Sequence, residues 1–324
     1  MRWGIIGTGM IAKKFAADLA QSSHKVVAVG SRSKETADKF ANEFNIPNRH
    51  ATYEGLIADK DVEAIYVSLP NHMHKEWGIK CAAGRKHILL EKPLTVNRRE
   101  ADELLEAVKA HDVFLMEAFM YRTHPQTFKI RELLSSGAIG EVRMIHADFS
   151  YNMGPKYTNI RLSNPAAGGG IMDVGCYPVS FARMAAGCEP IECKAVAKIG
   201  PVSRVDEQAT MVLRFPTGAV AALSCATQVS ANYTATIFGS EGSIHVPVPW
   251  KPGNDAKIFL RRGGKEEEIP TRTNVPLYAV EADHVQEHIA KREAPAMTWA
   301  DSIGNMNALD ALRASVGLVF DGEC

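Results

Sequence analysis

No two cysteines of this chain stand at the C-x-x-C spacing of a metal knuckle or a redox pair. The six, Cys81, Cys176, Cys188, Cys193, Cys225 and Cys324, are scattered. Neither a zinc ribbon nor a disulfide framework can be read from them, and a reducing compartment fits best. Net charge is also missing. With 37 basic against 37 acidic side chains, no global field draws the protein to phosphate backbones or acidic membranes, so an anionic ligand must be held locally. No apolar run approaches the ~20 residues of a membrane span, and the first residues run into a strand without the basic and apolar regions of a leader. Internal repeats, low-complexity tracts and long charged linkers are absent as well. A cytoplasmic protein is expected.

The 324 residues are 46% hydrophobic, enough at ~100–200 residues per domain for two cores, and the boundary is expected near residue 120. Residues 1–120 alternate short apolar runs with helical periodicity. Strands are expected at Trp3–Ile6, Val26–Gly30, Ala64–Ser68, His87–Leu90 and Phe114–Glu117, with Ile11, Phe15 and Leu19 as one helical stripe and Leu104, Leu105 and Val108 as another. That is the α/β pattern of a doubly wound parallel sheet, a Rossmann domain. Residues 121–324 read as α+β around a large, mainly antiparallel open sheet. Strands at Val142–Tyr151, Ala195–Ile199, Ala209–Phe215, Val220–Thr227, Thr234–Phe238, Ser243–Val246 and Lys257–Arg261 are punctuated by hairpin turns such as Pro216-Thr217-Gly218. Helices are expected at Pro125–Ser135, Pro276–Lys291 and Asp301–Leu318.

Four segments carry chemistry. Gly7-Thr8-Gly9-Met10-Ile11-Ala12 follows a strand and opens a helix, the context in which such a turn cradles a dinucleotide pyrophosphate. The second strand ends in Gly30-Ser31-Arg32-Ser33, with no carboxylate to accept from a ribose 2′-hydroxyl. Ser31 can donate to a 2′-phosphate and Arg32 can pair with it, which favours NADP(H) over NAD(H); the bland reading leaves Arg32 as a solvated charge. Glu91-Lys92-Pro93, and Ser68, Pro70, Asn71, His72 and His74 after the preceding strand, fall at carboxyl ends, where ligands bind such sheets. If the segment is extended, only one of His72 and His74 points inward. Beside a nicotinamide, Lys92 would suit proton transfer; otherwise it is a surface lysine.

Gly168-Gly169-Gly170-Ile171-Met172-Asp173-Val174-Gly175-Cys176-Tyr177-Pro178 leads into a helix, and the spacing of Asp173 and Tyr177 lets both reach one ligand if the helix includes them. Pro178 points instead to an irregular helix start, and in the alternative Asp173 is an N-cap and Tyr177 a half-buried aromatic. Glu281, His284 and His288 could present metal ligands on one helical face, but no further ligand set has telltale spacing and no metal is expected.

Together with Met116-Glu117-Ala118-Phe119-Met120-Tyr121-Arg122, these segments resemble the glucose–fructose oxidoreductase, inositol dehydrogenase and rhizopine-catabolism family (Gfo/Idh/MocA) along essentially the whole chain. The Gly-Gly-Gly-x-x-Asp-x-Gly-x-Tyr run is similar to the branch with dimeric dihydrodiol dehydrogenase and NADP-dependent xylose dehydrogenase, whose relatives elsewhere carry His in place of Tyr177. The resemblance implies a dehydrogenase acting on a hydroxyl-bearing carbon of a sugar, polyol or trans-dihydrodiol. Tyr177 and Lys92 would move the proton and Asp173 would orient the substrate. Cofactor-binding residues would be Gly7, Thr8, Gly9, Met10, Ile11, Ala12, Ser31, Arg32, Ser68, Pro70, Asn71, His74, Glu91, Lys92 and Arg122. It further implies a homodimer or higher homo-oligomer through the C-terminal sheet, and Asn274, Tyr278 and Glu281 near the cleft; the balanced charge leads to no nucleic-acid or membrane partner being expected. An NAD-assisted glycoside hydrolase and a non-catalytic NADPH-binding protein are the alternatives.

Overall fold

The computed structural model describes residues 1–231 and 233–323. The chain forms two compact units, one of Met1–His124 with Asn274–Ser302, the other of Pro125–Thr273 with Ile303–Cys324.

The first unit runs β1 (Arg2–Ile6), α1 (Met10–Leu19), β2 (Lys25–Gly30), α2 (Lys34–Phe44), β3 (Asn48–His50), α3 (Tyr53–Ile57), β4 (Ala64–Val67), α4 (His74–Ala83), β5 (His87–Leu90), α5 (Arg98–Ala110) and β6 (Leu115–Glu117). All six strands are parallel, in the order β3-β2-β1-β4-β5-β6. The order reverses between β1 and β4, and the crevice at the carboxyl ends of such neighbours is where doubly wound sheets bind ligands. Continuous apolar runs fill β1, β4 and β5 because helices bury both faces. Side-chain caps start the helices: Ser33 Oγ accepts from Thr36 N and Asn97 Oδ1 from Glu100 N. Two expectations are corrected. β3, Asn48-Arg49-His50, is a polar edge strand without alternation, so its sequence gave no sign of it. The buried stripe of α1 is Ala12, Phe15, Ala16 and Leu19, and Ile11 is only half-buried.

The second unit holds α6 (Pro125–Ser135), β7 (Val142–Ser150), α7 (Cys176–Ala186), β8 (Glu192–Ile199), β9 (Asp206–Arg214), β10 (Val220–Ala226), β11 (Ala235–Gly239), β12 (Gly242–Val246), β13 (Lys257–Arg262) and β14 (Lys265–Pro270). The strand order is β14-β13-β12-β11-β7-β10-β9-β8. Neighbours joined by short turns are antiparallel as expected. β7 and β10 pair in parallel, which the long excursion through α7 between them permits. α7 covers one face, where Phe149, Tyr177, Phe181 and Trp250 pack as an aromatic cluster.

Two helices close the chain. α8 (Leu277–His288) belongs to the first unit and packs on α1, and α9 (Trp299–Ser315) crosses from the first unit's segment into the second's. No helix among the described residues is long and apolar enough to cross a membrane.

Candidate functional site

In the first unit the glycine turn closes over the switch point. Gly7 has φ +99°, and a Cβ there would stand 2.8 Å from both Ser68 O and Ser68 Oγ, so the loops after β1 and β4 touch where only glycine fits. Ser68 Oγ in turn donates to Ile6 O at 2.8 Å. Gly9 differs: it caps α1, and a Cβ there would meet nothing within 4 Å. The chain itself does not require glycine at that position. Open space at a helix start that has no side-chain cap hydrogen bond and no acidic residue in its first turn fits a pyrophosphate approaching the backbone. Thr8 is half-buried beside it and Met10 is exposed, while Ala12 is fully buried, as close helix–strand packing requires.

After β2, Ser31 is buried and its hydroxyl shares a hydrogen bond with Thr36 Oγ1. Arg32 is exposed at the start of α2 and forms no ion pair or hydrogen bond among the described residues. After β4, Pro70 leads into a tight turn at Asn71–Met73, so the segment is not extended. His72 is exposed and His74 is fully buried at the start of α4. The His74 ring stands between Leu69 O at 2.8 Å and Pro93 O at 2.9 Å; burial pushes its pKa down to about 4, so the neutral ring, with one N–H, donates to one of these two carbonyls and packs against the other.

That second loop carries Glu91-Lys92-Pro93, with a cis Lys92–Pro93 peptide. The buried Glu91 carboxylate accepts from the Tyr66 hydroxyl and from Lys92 N, and the buried Glu117 accepts from Leu94 N at 2.8 Å. Lys92 itself is half-buried. Behind Glu91 lie Tyr278 and Glu281 of α8. Glu281 is fully buried, its carboxyl oxygens have no hydrogen-bond partner among the described residues, and burial, then the Glu91 charge, push its pKa well above the usual carboxyl range. Burial also raises the Tyr278 phenol, whose backbone N–H donates to Asp18. Asn274 is exposed. Arg122 is buried in the same unit, donating to Ala296 O and paired with Asp301.

In the second unit the glycine run is shaped by Asp206, whose buried carboxylate accepts from Ile171 N at 2.7 Å. Gly169 has φ +102°, and a Cβ there would collide with that carboxylate. Burial lifts the Asp206 pKa to about 7. One wide π turn, Ile171–Gly175, precedes α7, so the helix start is irregular and Pro178 falls harmlessly in the first turn of α7. Asp173 lies within the wide turn and does not cap α7, whose cap is Gly175. Its carboxylate accepts from the Tyr151 hydroxyl and from Arg161 Nε at 3.1 Å. Tyr177 is 4% exposed, with its ring edge-on to Phe149 at 5.2 Å. Sequence reasoning missed Tyr66, Tyr151, Arg161 and Asp206. Of these only Asp206, an acid opening an apolar strand, left a signal.

A doubly wound domain with a glycine turn at its switch point, accompanied by a large open sheet, defines a dinucleotide-dependent oxidoreductase class. Residues 1–119 match the model of the oxidoreductase family with an NAD-binding Rossmann fold, and residues 128–245 match the Gfo/Idh/MocA C-terminal domain. The chain belongs to that family. It is 35% identical to an uncharacterized oxidoreductase of Rhizobium meliloti over 97% of this chain and 96% of that one. It is 32% identical to trans-1,2-dihydrobenzene-1,2-diol dehydrogenase of Mus musculus over 99% and 98%. Among solved structures, a 3-ketoreductase of Actinomadura kijaniata in complex with NADP and TDP-benzene superposes with a TM-score of 0.88 at 26% identity, covering 98% of each chain. Further structures of that ketoreductase carry a replaced lysine or a replaced tyrosine.

Proposed function

We propose that this oxidoreductase uses NADP(H) and acts on a hydroxyl-bearing carbon of a sugar, polyol or trans-dihydrodiol. The observation that carries the cofactor choice is Arg32: an exposed guanidinium with no ion pair among the described residues, just after β2, where the sequence has no carboxylate. A 2′-phosphate would meet a cation there, and a carboxylate would have repelled it. The substrate class follows the mouse dihydrodiol dehydrogenase and the NADP-bound ketoreductase.

When bound, the nicotinamide supplies the hydride chemistry; protein groups supply distance, orientation and field. In this reading Tyr177 exchanges the proton of the substrate hydroxyl. A phenol of reference pKa ~10 is a poor base at neutral pH, so Lys92 is assigned to lower it and to bond the same oxygen. Asp173, held by Tyr151 and Arg161, is assigned to accept from a neighbouring substrate hydroxyl. Glu91, His74 and Glu117 hold the loop that carries Lys92.

On one face of the second sheet Met144 opposes both Val220 and Phe238, Val212 opposes Ala222 and Lys194, and Val196 follows Lys194 by two residues, so these five apolar side chains, Met144, Val196, Val212, Val220 and Phe238, all exposed, share that face across β8, β9, β10, β7 and β11. That apolar stripe is the interface assigned to a second copy of the chain.

The test is a panel of aldoses, polyols, diols and dicarbonyls assayed at 340 nm with NADP and with NAD, repeated on Lys92→Met. Turnover with NADP that Lys92→Met abolishes, while NADPH binding persists, supports the reading. Unchanged turnover in Lys92→Met would refute the role of Lys92.

A further inference from the structure

Helix α8 sorts its polar residues by face. Glu281 turns into the core toward Glu91, which separates it from the two histidines with which its spacing had grouped it. One turn on, His284, Glu287 and His288 form a different set: residues three and four apart are neighbours on a helix surface, and one ligand atom from each lies within 4.8 Å of the others. The two imidazole rings stand 4.4 Å apart between centroids. His288 Nδ1–H donates to His284 O at 2.9 Å, which fixes the His288 tautomer and leaves its Nε2 lone pair as the ligand atom. Glu287 is exposed and has no ion pair or hydrogen bond among the described residues. His288 ends α8, where the partial negative charge of the helix terminus favours a cation.

We propose that His284, Glu287 and His288 bind one divalent transition-metal ion of zinc's class, through two imidazole nitrogens and one carboxylate oxygen. The donor set is that of a borderline ion, and three protein ligands leave the fourth tetrahedral position to water. Bonds of about 2.0–2.1 Å require ligand atoms about 3.4 Å apart, a closure that side-chain rotation of Glu287 and His288 supplies. The ion would tie the last turn of α8 to itself. The site is separate from the proposed catalytic groups and stands or falls without them.

The experiment titrates chelator-stripped full-length protein with ZnCl2 by calorimetry and with CoCl2 by visible absorption. Support is one equivalent bound with micromolar affinity, cobalt bands of a four-coordinate site, and loss of roughly 10- to 100-fold in affinity in His288→Ala and in Glu287→Ala. Both of these positions lie at least partly in solvent, so the variants keep the fold, checked by circular dichroism; His284→Ala, at a buried position, is the confirming variant. Equal affinity and stoichiometry in wild type and His288→Ala, or no zinc bound below millimolar concentration, would overturn the proposal.

Discussion

The Tyr66 hydroxyl donates to the Glu91 carboxylate, and both groups are buried beneath the loop that presents Lys92. A hydrogen bond to a charged group is worth about 1.5–3 kcal/mol net. Tyr66→Phe is therefore expected to lower unfolding free energy by roughly that amount and to leave the ring stacking on Phe15 in place. Urea denaturation at neutral pH checks it, and an unchanged midpoint would show that Glu91 finds another donor.

Glu281 adds a pH dependence. Its pKa in the folded protein is raised by burial and by Glu91, so its contribution to stability is complete below the carboxyl range of the unfolded chain and is lost as pH rises. Glu281→Gln, neutral at every pH, should match wild type in acid and exceed it increasingly toward pH 8. Denaturation midpoints of the two proteins across that range give the comparison.

Asp206 follows the same sign with a defined window. Its folded pKa is pushed up to about 7, so wild type loses stability as pH climbs from the unfolded value near ~4 to about 7. Asp206→Asn keeps an acceptor for Ile171 N and should flatten that slope, by up to about 4 kcal/mol between the two ends. Parallel slopes for the two proteins would contradict it.

The two glycines of the first turn should separate. Gly7→Ala puts a methyl 2.8 Å from Ser68 backbone in a left-handed conformation, so it should cost the fold about 1–3 kcal/mol. Gly9→Ala meets only open space and should cost the fold no more than about 1 kcal/mol, as a poorer cap. Its larger effect should be on NADPH binding. Thermal unfolding with and without NADPH distinguishes the two effects.

Arg32→Ala is expected to weaken NADPH binding roughly 10- to 100-fold and to leave NADH binding nearly unchanged, the share of one charge-assisted hydrogen bond. Fluorescence titration with both cofactors reads the ratio. An equal loss for both would return Arg32 to the status of a solvated charge.

Legibility in the sequence followed periodicity and local turn chemistry. Five of the parallel strands, the hairpins and the helices at Pro125–Ser135, Leu277–His288 and Trp299–Ser315 were readable to within a few residues because apolar periodicity and Gly-rich turns act locally, whereas α2, α3 and α4 were not expected. β3 was not, since three polar residues at an edge carry no pattern, and neither was the parallel pairing of β7 with β10, which depends on a partner far along the chain. The glycine turn and the Lys92 loop were placed from sequence. What holds them was hidden: Tyr66 reads as one more strand residue, and spacing groups Glu281 with His284 and His288 on one helical face, whereas it turns toward Glu91. Long-range partners of this kind are fixed by packing, and spacing along the chain does not encode them.

The first unit borrows α8 from about 150 residues further along the chain than its other elements, and α8 packs on α1 with Tyr278 and Glu281 buried. A ribosome that has released only the first 124 residues has therefore made a domain with an open flank, where Phe15 lacks the Tyr278 ring that later packs edge-on against it. Synthesis must pass α8, at Leu277–His288, before the nucleotide-binding half can seal. A protein clipped shortly after residue 273 should aggregate rather than survive as a smaller dehydrogenase half.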